Sequence, residues 1–503
     1  MASRTPYICL NCRFSSRFSL PARRPFTSSS ICREVIRPAT APKPTPEVKH
    51  IRQHADLYVQ NCLDRNYPSH AEYPPRIQQL SDESRRLDQD LRAPRSRIKQ
   101  LEQTIAKLAR QNAQQQPEAG TGSNEELARL RSEAQQLKDE SQAMTSRKST
   151  CADEIYRLAL SLPNLSSSDT PVGHDPRLVN YLNFDPENPP EWAARPDPAG
   201  RSHVNIGTSL SLLDFTSSST STGWGCVARR HGWKPVSPPS IVYSYIAEAC
   251  GFQPRDQHNE QQIWTIEQSD KDKSKPPRSL AGTAEIPLAA MYAGRDIPAA
   301  ELPIKLVGAS RCYRAEAGSR GVDTKGLYRV HEFTKVELFG WSDAPESAAE
   351  SGNSDSDALF SSLLAIQTEI LSSLNLPCRV LEMPSTDLGA SASRKQDIEV
   401  LFPSRLRLDN APACGNLADS PAWGEVTSAS VCTDYQSRRL GTRVRGGASK
   451  ESRFPHTVNG TAMAVPRVLA AILETGFDPG SGGVVVPPVL RSWMDGLEVI
   501  GKK

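Results

Sequence analysis

Residues 311–341 read RCYRAEAGSRGVDTKGLYRVHEFTKVELFGW. Two extended halves, RCYRAE and LYRVHEFTKVELFGW, flank the polar, glycine-containing AGSRGVDTKG, which is the pattern of a β-hairpin. Side chains alternate across a strand, so Arg329, Phe333 and Glu337 are predicted to share one face. Arg314 and Glu316 share a face of the first strand by the same rule. The hairpin would then offer two guanidiniums, two carboxylates and an aromatic ring to one space. Arginine forks grip phosphate or carboxylate oxygens bidentately. An aromatic face stacks a base, and a carboxylate receives an ammonium. A nucleotide triphosphate and an amino acid together need that set, although a charged, water-facing sheet edge would show the same alternation.

Upstream lies a different period. Ile77, Leu80, Ser84, Leu87, Leu91, Ile98, Leu101, Ile105 and Leu108 follow heptad spacing, and the seam resumes at Leu127, Leu130, Ala134, Leu137, Met144, Cys151, Ile155, Leu158 and Leu162. A Gln/Gly/Ser-rich gap (111–124) separates the halves, so an antiparallel helical hairpin is predicted, roughly 50 Å long at 1.5 Å per residue. Pro94 is expected to kink its first helix. An ordinary dimerisation coiled coil would read the same way. Arg85, Arg86, Arg92, Arg95 and Arg97 crowd that helix, either to grip RNA phosphates or as a solvated face. LPNLSSSDTPVG (162–173) ends the second helix, and the Pro-rich 184–199 reads as a linker.

The chain's 503 residues allow about three domains. A formal net charge of +3 excludes a global basic field, so any RNA contact must be local. Hydrophobic residues make up 37% and prolines number 40, which implies sizeable linkers around a real core. No apolar run approaches the roughly 18 residues of a membrane span, so a soluble protein is expected. Among the 11 cysteines only Cys9 and Cys12 form a CxxC, with no second pair to complete a zinc site. They read as free thiols of a reducing compartment. Before Glu34 the chain carries Arg4, Arg13, Arg17, Arg23, Arg24 and Arg33 without an acid, the composition of a mitochondrial transit peptide. A mitochondrial matrix location is therefore expected.

Arg314–Ala315–Glu316 with its loop and second strand resembles motif 2 of class II aminoacyl-tRNA synthetases, and YRAEAGS…GLYRVHEFTKVE has the wording of seryl-tRNA synthetases. TAEIPL (283–288) resembles that family's serine-binding segment, WGEVTSASVCTDYQSRRL (423–440) its metal and ATP strand, and HTVNGTAMAVPR (456–467) its motif 3. The helical arm, LPN and HVNIG…LLDF resemble the tRNA-binding arm and the entry to the catalytic domain.

The resemblance implies an α+β chain: transit peptide and linker over 1–46, tRNA-binding coiled-coil arm over 47–170, and a class II antiparallel-sheet catalytic domain over 171–503. It implies ATP, Mg²⁺, serine and tRNA(Ser) as ligands and a homodimer as the assembly. Arg314 would hold the ATP α-phosphate and the serine carboxylate, and Glu316 the adenine amino group. Val330 would meet the adenine through its backbone, and Phe333 would stack on it. Arg329 and Arg467 would clamp the triphosphate, with Arg467 also closing on the adenine against Phe333. Glu425 and Ser428 would bind Mg²⁺ and phosphate. Thr283, Glu285, Glu337, Asn459 and Thr461 would surround serine, Glu337 taking its ammonium. Arg314, Glu425 and Arg467 would be the catalytic group.

Three departures stand out. STGWGCVARRHGW (221–233) joins segments between which the family carries the long motif 1 helix of its dimer interface. As written, the chain is expected to dimerise poorly, with reduced or no activity. Val431 stands at a usual Asn position, and Ser342–Ala358 and Arg405–Ala422 read as surface insertions. His331 and His456 border the site and read as structural. Three readings stay open: the serylating enzyme, a catalytically impaired tRNA-binding paralogue or truncated isoform, and a class II enzyme for another amino acid.

Overall fold

The computed structural model describes residues 37–114, 121–194, 196–210, 228, 230–252, 262–316, 326–344, 354–406, 417, 420–446 and 452–501. The expected transit peptide, the tip of the motif 2 loop (317–325) and the junction at 223–227 lie outside the described residues.

Two short helices, α1 (Val48–Gln53) and α2 (Ala55–Asp64), lead into α3 (Tyr73–Asp90), α4 (Arg92–Gln114) and α5 (Thr121–Ser161). The predicted seam is the packed one, with Ile77, Leu80, Leu91, Leu101, Leu127, Ala134, Cys151, Leu158 and Leu162 all buried. Cross-helix pairs Arg76–Glu154, Arg147–Glu83 and Arg97–Glu133 descend along one helix as they ascend the other, so the arm is antiparallel. The expected kink falls at Leu91, a one-residue interruption that keeps helical dihedrals (φ −68°, ψ −19°) and still donates to the Leu87 carbonyl. Pro94 has no N–H for the Asp90 carbonyl and its ring would strike that oxygen, so α3 ends at Asp90 and the proline sits in the first turn of α4. The 41 residues of α5 make about 60 Å of helix, longer than predicted.

The arm is anchored at its base by polar contacts. Asn164 donates to the carbonyls of Ser391 (2.9 Å) and Cys432 (3.0 Å) and to Thr433 Oγ1 (3.0 Å). Arg65, 1% exposed, donates to the carbonyls of Asn164 and Gly389.

The body is built on an eight-stranded sheet. Its strands are β1 (Arg177–Leu182), β2 (Lys234–Val236), β3 (Ile304–Tyr313), β4 (Glu332–Ser342), β5 (Cys378–Glu382), β6 (Arg394–Leu401), β7 (Trp423–Thr433) and β8 (His456–Ala464), in the order β1-β5-β6-β7-β8-β4-β3-β2. Neighbours are antiparallel except the edge pair β2·β3, which is parallel. Pro238 and Pro239 follow the end of β2. The helix α6 (His203–Ser209) follows β1, and among the other helices of the body are α7 (Glu285–Ala289), α8 (Asp355–Ser373), α9 (Tyr435–Leu440) and α10 (Val465–Gly476).

One face of the sheet carries the main core. Val336 and Leu338 of β4, Val426 and Ala429 of β7 and Val458 of β8 pack with Leu359, Leu363, Ile366 and Ile370 of α8. Ser354 caps α8 through a reciprocal capping box with Asp357, so the predicted insertion Ser342–Ala358 ends in an ordered helical turn. The presumed linker over 184–199 also packs: Phe184 and Trp192 lie against Leu401, Leu406 and Trp423, and Leu406 and Leu417 of the second predicted insertion are buried there.

The hairpin differs from its sequence reading at both inner ends. β3 stops at Tyr313 and β4 starts at Glu332, so Arg314, Glu316, Arg329 and Val330 lie past the strands. Strand alternation therefore unites Phe333, Lys335 and Glu337 and does not explain Arg329. Glu316 takes φ +50°, turning the chain out of the strand. The return is set by Gly326 at φ +73°, where a Cβ would collide with His203 Nε2. That nitrogen accepts the Leu327 N–H at 3.0 Å, while Nδ1 lies 2.5 Å from buried Glu474.

Candidate active site

The face of the sheet opposite α8 opens into a cleft. Its walls include Arg314, Glu316, Arg329, Val330, Phe333, Lys335, Glu425, Ser428, Thr461 and Arg467. All eight residues expected around ATP thus meet in one space, with Thr461 of the serine set beside them.

Two β-bulges aim part of this wall. On a regular strand Glu425 and Ser428, three apart, would face opposite sides. The β6·β7 register shifts between Glu425 and Thr427, which adds one residue and turns both side chains to the cleft. The β8·β4 register shifts likewise between Thr461 and Met463.

Charge is arranged in pairs. Arg467, in the first turn of α10, donates to the Glu425 carbonyl (3.0 Å) and carboxylate (3.2 Å) and to the Tyr328 carbonyl (3.2 Å). Tyr328 donates its hydroxyl to the Glu425 carbonyl at 3.0 Å. Its ring carries the Arg467 guanidinium at 4.6 Å and that of Arg405 at 3.9 Å. Arg329 pairs with Glu316 at 2.9 Å. Arg314 donates to the Gly282 carbonyl at 3.3 Å, and its guanidinium lies 5.4 Å from the centre of the Phe333 ring. The guanidinium over Phe333 is therefore that of Arg314, whereas that of Arg467 lies over Tyr328.

The surroundings set protonation. Burial opposes the charge of Glu425, but Lys395 and Arg467 outweigh it and lower its pKa to about 2, so the carboxylate is ionised. Asp397, on the neighbouring β6, is raised to about 7 by burial and by the Glu425 charge, despite Lys395 at 2.8 Å. Asp397 Oδ1 is buried without a partner among the described residues. Glu425 and Ser428 present an ionised carboxylate and a hydroxyl, the hard oxygen donors that suit a divalent cation such as Mg²⁺.

The rest of the expected serine set is buried next to the cleft: Thr283, Glu285, Glu337 and Asn459 are at most 8% exposed. Thr283 donates its hydroxyl to Glu337 Oε2 at 3.0 Å, and Lys335 Nζ lies 2.5 Å from the same oxygen. Gln436 of α9 donates to Glu285 at 2.7 Å. Burial, then the nearby Glu337 charge, raises Glu285 to about 8. Asn459 Nδ2 lies 3.7 Å from Cys432 Sγ. Val431 is buried in the core, His456 lies at the start of β8 beside Ser356 (3.3 Å), and His331 accepts the Arg314 backbone.

Tyr328, Lys335, Lys395, Asp397 and Gln436 were not expected here. Lys335 was within reach of the sequence, because alternation puts it between Phe333 and Glu337. The others arrive through strand register and helix packing.

An antiparallel sheet bearing arginines from a strand–loop–strand hairpin and from a following helix is the core of a class II aminoacyl-tRNA synthetase, and residues 266–476 match the tRNA synthetase class II core domain (G, H, P, S and T). Residues 47–166 match the seryl-tRNA synthetase N-terminal domain. The chain is 36% identical to the mitochondrial serine–tRNA ligase of Saccharomyces cerevisiae, over 72% of this chain and 78% of that one. It is 35% identical to the mitochondrial serine–tRNA ligase of Schizosaccharomyces pombe, over 88% and 86%. The crystal structure of seryl-tRNA synthetase from Pyrococcus horikoshii complexed with ATP matches with a TM-score of 0.66 and 25% identity, covering 91% of this chain and all of that one. The chain belongs to the seryl-tRNA synthetase family.

Proposed function

We propose that the protein attaches serine to tRNA(Ser) through a seryl-adenylate, in the mitochondrial matrix. The observation that carries this is the convergence of Arg314, Arg329, Phe333, Glu425 and Arg467 on one cleft, adjoining buried Thr283 and Glu337. ATP use is supported by the likeness to a family member complexed with ATP.

A serine carboxylate oxygen attacks the α-phosphorus; that bond forms as the bond from phosphorus to pyrophosphate breaks. A tRNA 3′-terminal ribose hydroxyl then attacks the seryl carbonyl, and AMP leaves. Arg314 holds the α-phosphate and the serine carboxylate, while Arg329 and Arg467 take the triphosphate. Phe333 stacks the adenine, with Val330 and Glu316 at its edge. Glu337, Thr283, Glu285, Asn459 and Thr461 enclose serine. Glu425 and Ser428 would hold Mg²⁺, which supplies charge neutralisation on the phosphates. Orientation of reactants contributes roughly 7–11 kcal/mol in such reactions, and fixed charges add transition-state stabilisation. No protein nucleophile is needed.

A serine-dependent ATP–pyrophosphate exchange assay tests the reading. Exchange with serine supports it, and exchange only with another amino acid overturns the choice of substrate. A catalytically impaired tRNA-binding paralogue is not favoured, since Arg314, Glu425 and Arg467 are all in place; absence of exchange with every amino acid would restore it.

A further inference from the structure

Lys335 is only 6% exposed, yet it lines the cleft with Arg314, Ser428, Thr461 and Arg467. It lies on one face of β4 between Phe333 and Glu337. At about 3.4 Å per residue, the backbone of that row spans roughly 14 Å, with Lys335 midway along it and its ammonium reaching the Glu337 carboxylate. Under the reading above, on which this inference rests, Phe333 takes the adenine and Glu337 the serine ammonium. The α-phosphorus and the serine carboxylate must then lie between the two, where Lys335 stands.

The contacts of Lys335 point the same way. Its Nζ lies 2.5 Å from Glu337 Oε2, an oxygen that also accepts from Thr283. Arrival of a serine ammonium would set two positive charges against one buried carboxylate. Like charges that close repel strongly away from water. Incoming serine also brings a carboxylate, and ATP an α-phosphoryl group, both anionic and both next to this ammonium.

We propose that Lys335 is a catalytic residue of adenylate formation. Before serine binds, its ammonium rests on Glu337. When serine takes that carboxylate, Lys335 transfers to the serine carboxylate and the non-bridging α-phosphoryl oxygens, joining Arg314 in stabilising the charge that develops there. Its flexible four-carbon stem suits such a shift, unlike a planar arginine fork.

The test is serine-dependent ATP–pyrophosphate exchange by the full chain carrying Lys335→Met or Lys335→Arg, with thermal melts to verify folding. For Lys335→Met, kcat is expected to fall about 100-fold, the scale of losing one preorganised charge donor. The KM for serine should stay unchanged or drop, because a competitor for Glu337 is gone. Lys335→Arg should recover part of kcat. A raised serine KM with kcat retained would overturn the proposal, leaving Lys335 as a prop for Glu337; unchanged kinetics would overturn it too. Should Lys335→Met fail to fold, Lys335→Gln is read by the same criteria. An unmodified chain without exchange sinks the serylation reading and this proposal together, whereas an active chain with the KM-only pattern sinks the proposal alone.

Discussion

Arg467 grips Glu425 twice, at the backbone carbonyl (3.0 Å) and at the carboxylate (3.2 Å). The first turn of α10 thereby fixes the position of the β7 bulge, and with it the placing of Glu425 and Ser428 on one wall. α10 and β7 act as a single unit.

Glu425→Gln should therefore separate charge from shape. The amide keeps the volume and can still meet Arg467, but the anion is lost. Serine-dependent exchange is expected to fall about 100-fold or more, with the Mg²⁺ optimum shifted to higher concentration. Because the folded pKa is lowered from the ordinary 4.5 to about 2, Glu425 stays ionised throughout the working range. Its pH-linked contribution to stability is present above 4.5 and is lost as pH falls through 2. An acid limb of activity between pH 5 and 7 that vanishes in Glu425→Gln yet survives in Asp397→Asn, the neighbour held near 7 in part by the Glu425 charge, would contradict this.

Glu285 has the opposite sign. Its folded pKa is raised from 4.5 to about 8, by burial first and then by Glu337. The folded state holds a proton that the unfolded state has given up, so stability declines as pH rises from about 4.5 to 8 and levels off beyond. Melting temperatures measured across that window for the unmodified chain and Glu285→Gln are expected to diverge, with the variant the flatter of the two. Parallel curves would show that Glu285 ionises normally.

The sequence revealed much of this site, with identifiable gaps. Heptad spacing located the arm seam because helical packing repeats locally, and alternation placed Phe333 and Glu337 on one face. Glu425 and Ser428 came only from the family resemblance, since three-residue spacing contradicts a regular strand and the bulge that reconciles it depends on the β6 partner. Arg329 was assigned to the right cleft by a strand argument that does not apply, because β4 begins after it. Lys395, Asp397 and Gln436 are distant in sequence from the hairpin, and no local pattern announces contacts made by register or by helix docking.

Asn164 ties the arm to the body. Its side chain reaches the Cys432 carbonyl and Thr433, and Cys432 Sγ lies 3.7 Å from Asn459 of the expected serine pocket. Asn164→Ala leaves the Ser391 and Cys432 carbonyls without these donors, a loss of about 1–3 kcal/mol if they stay dry. Charging of tRNA(Ser) is expected to drop more than pyrophosphate exchange, because only charging needs the arm held at a fixed angle. Equal losses in the two assays would assign Asn164 to stability alone.

The last expectation concerns assembly. The edge strand β2 contributes three residues, Lys234–Val236, and among the described residues is paired on one side only, to β3. At the far edge, β1 leaves Leu178 and Val179 at 44% and 49% exposure. The family resemblance implies a motif 1 helix packing across the dimer axis next to such an edge, and the sequence STGWGCVARRHGW leading up to β2 leaves no room for one. A three-residue edge offers few backbone groups for intersubunit pairing, and without that helix little apolar area remains to offset the entropy of association. Size-exclusion chromatography with light scattering is expected to give chiefly the 55.1 kDa monomer at micromolar concentration, with exchange activity rising as concentration is increased. A stable species of twice that mass, with activity per chain independent of concentration, would show that the shortened junction still supports the interface.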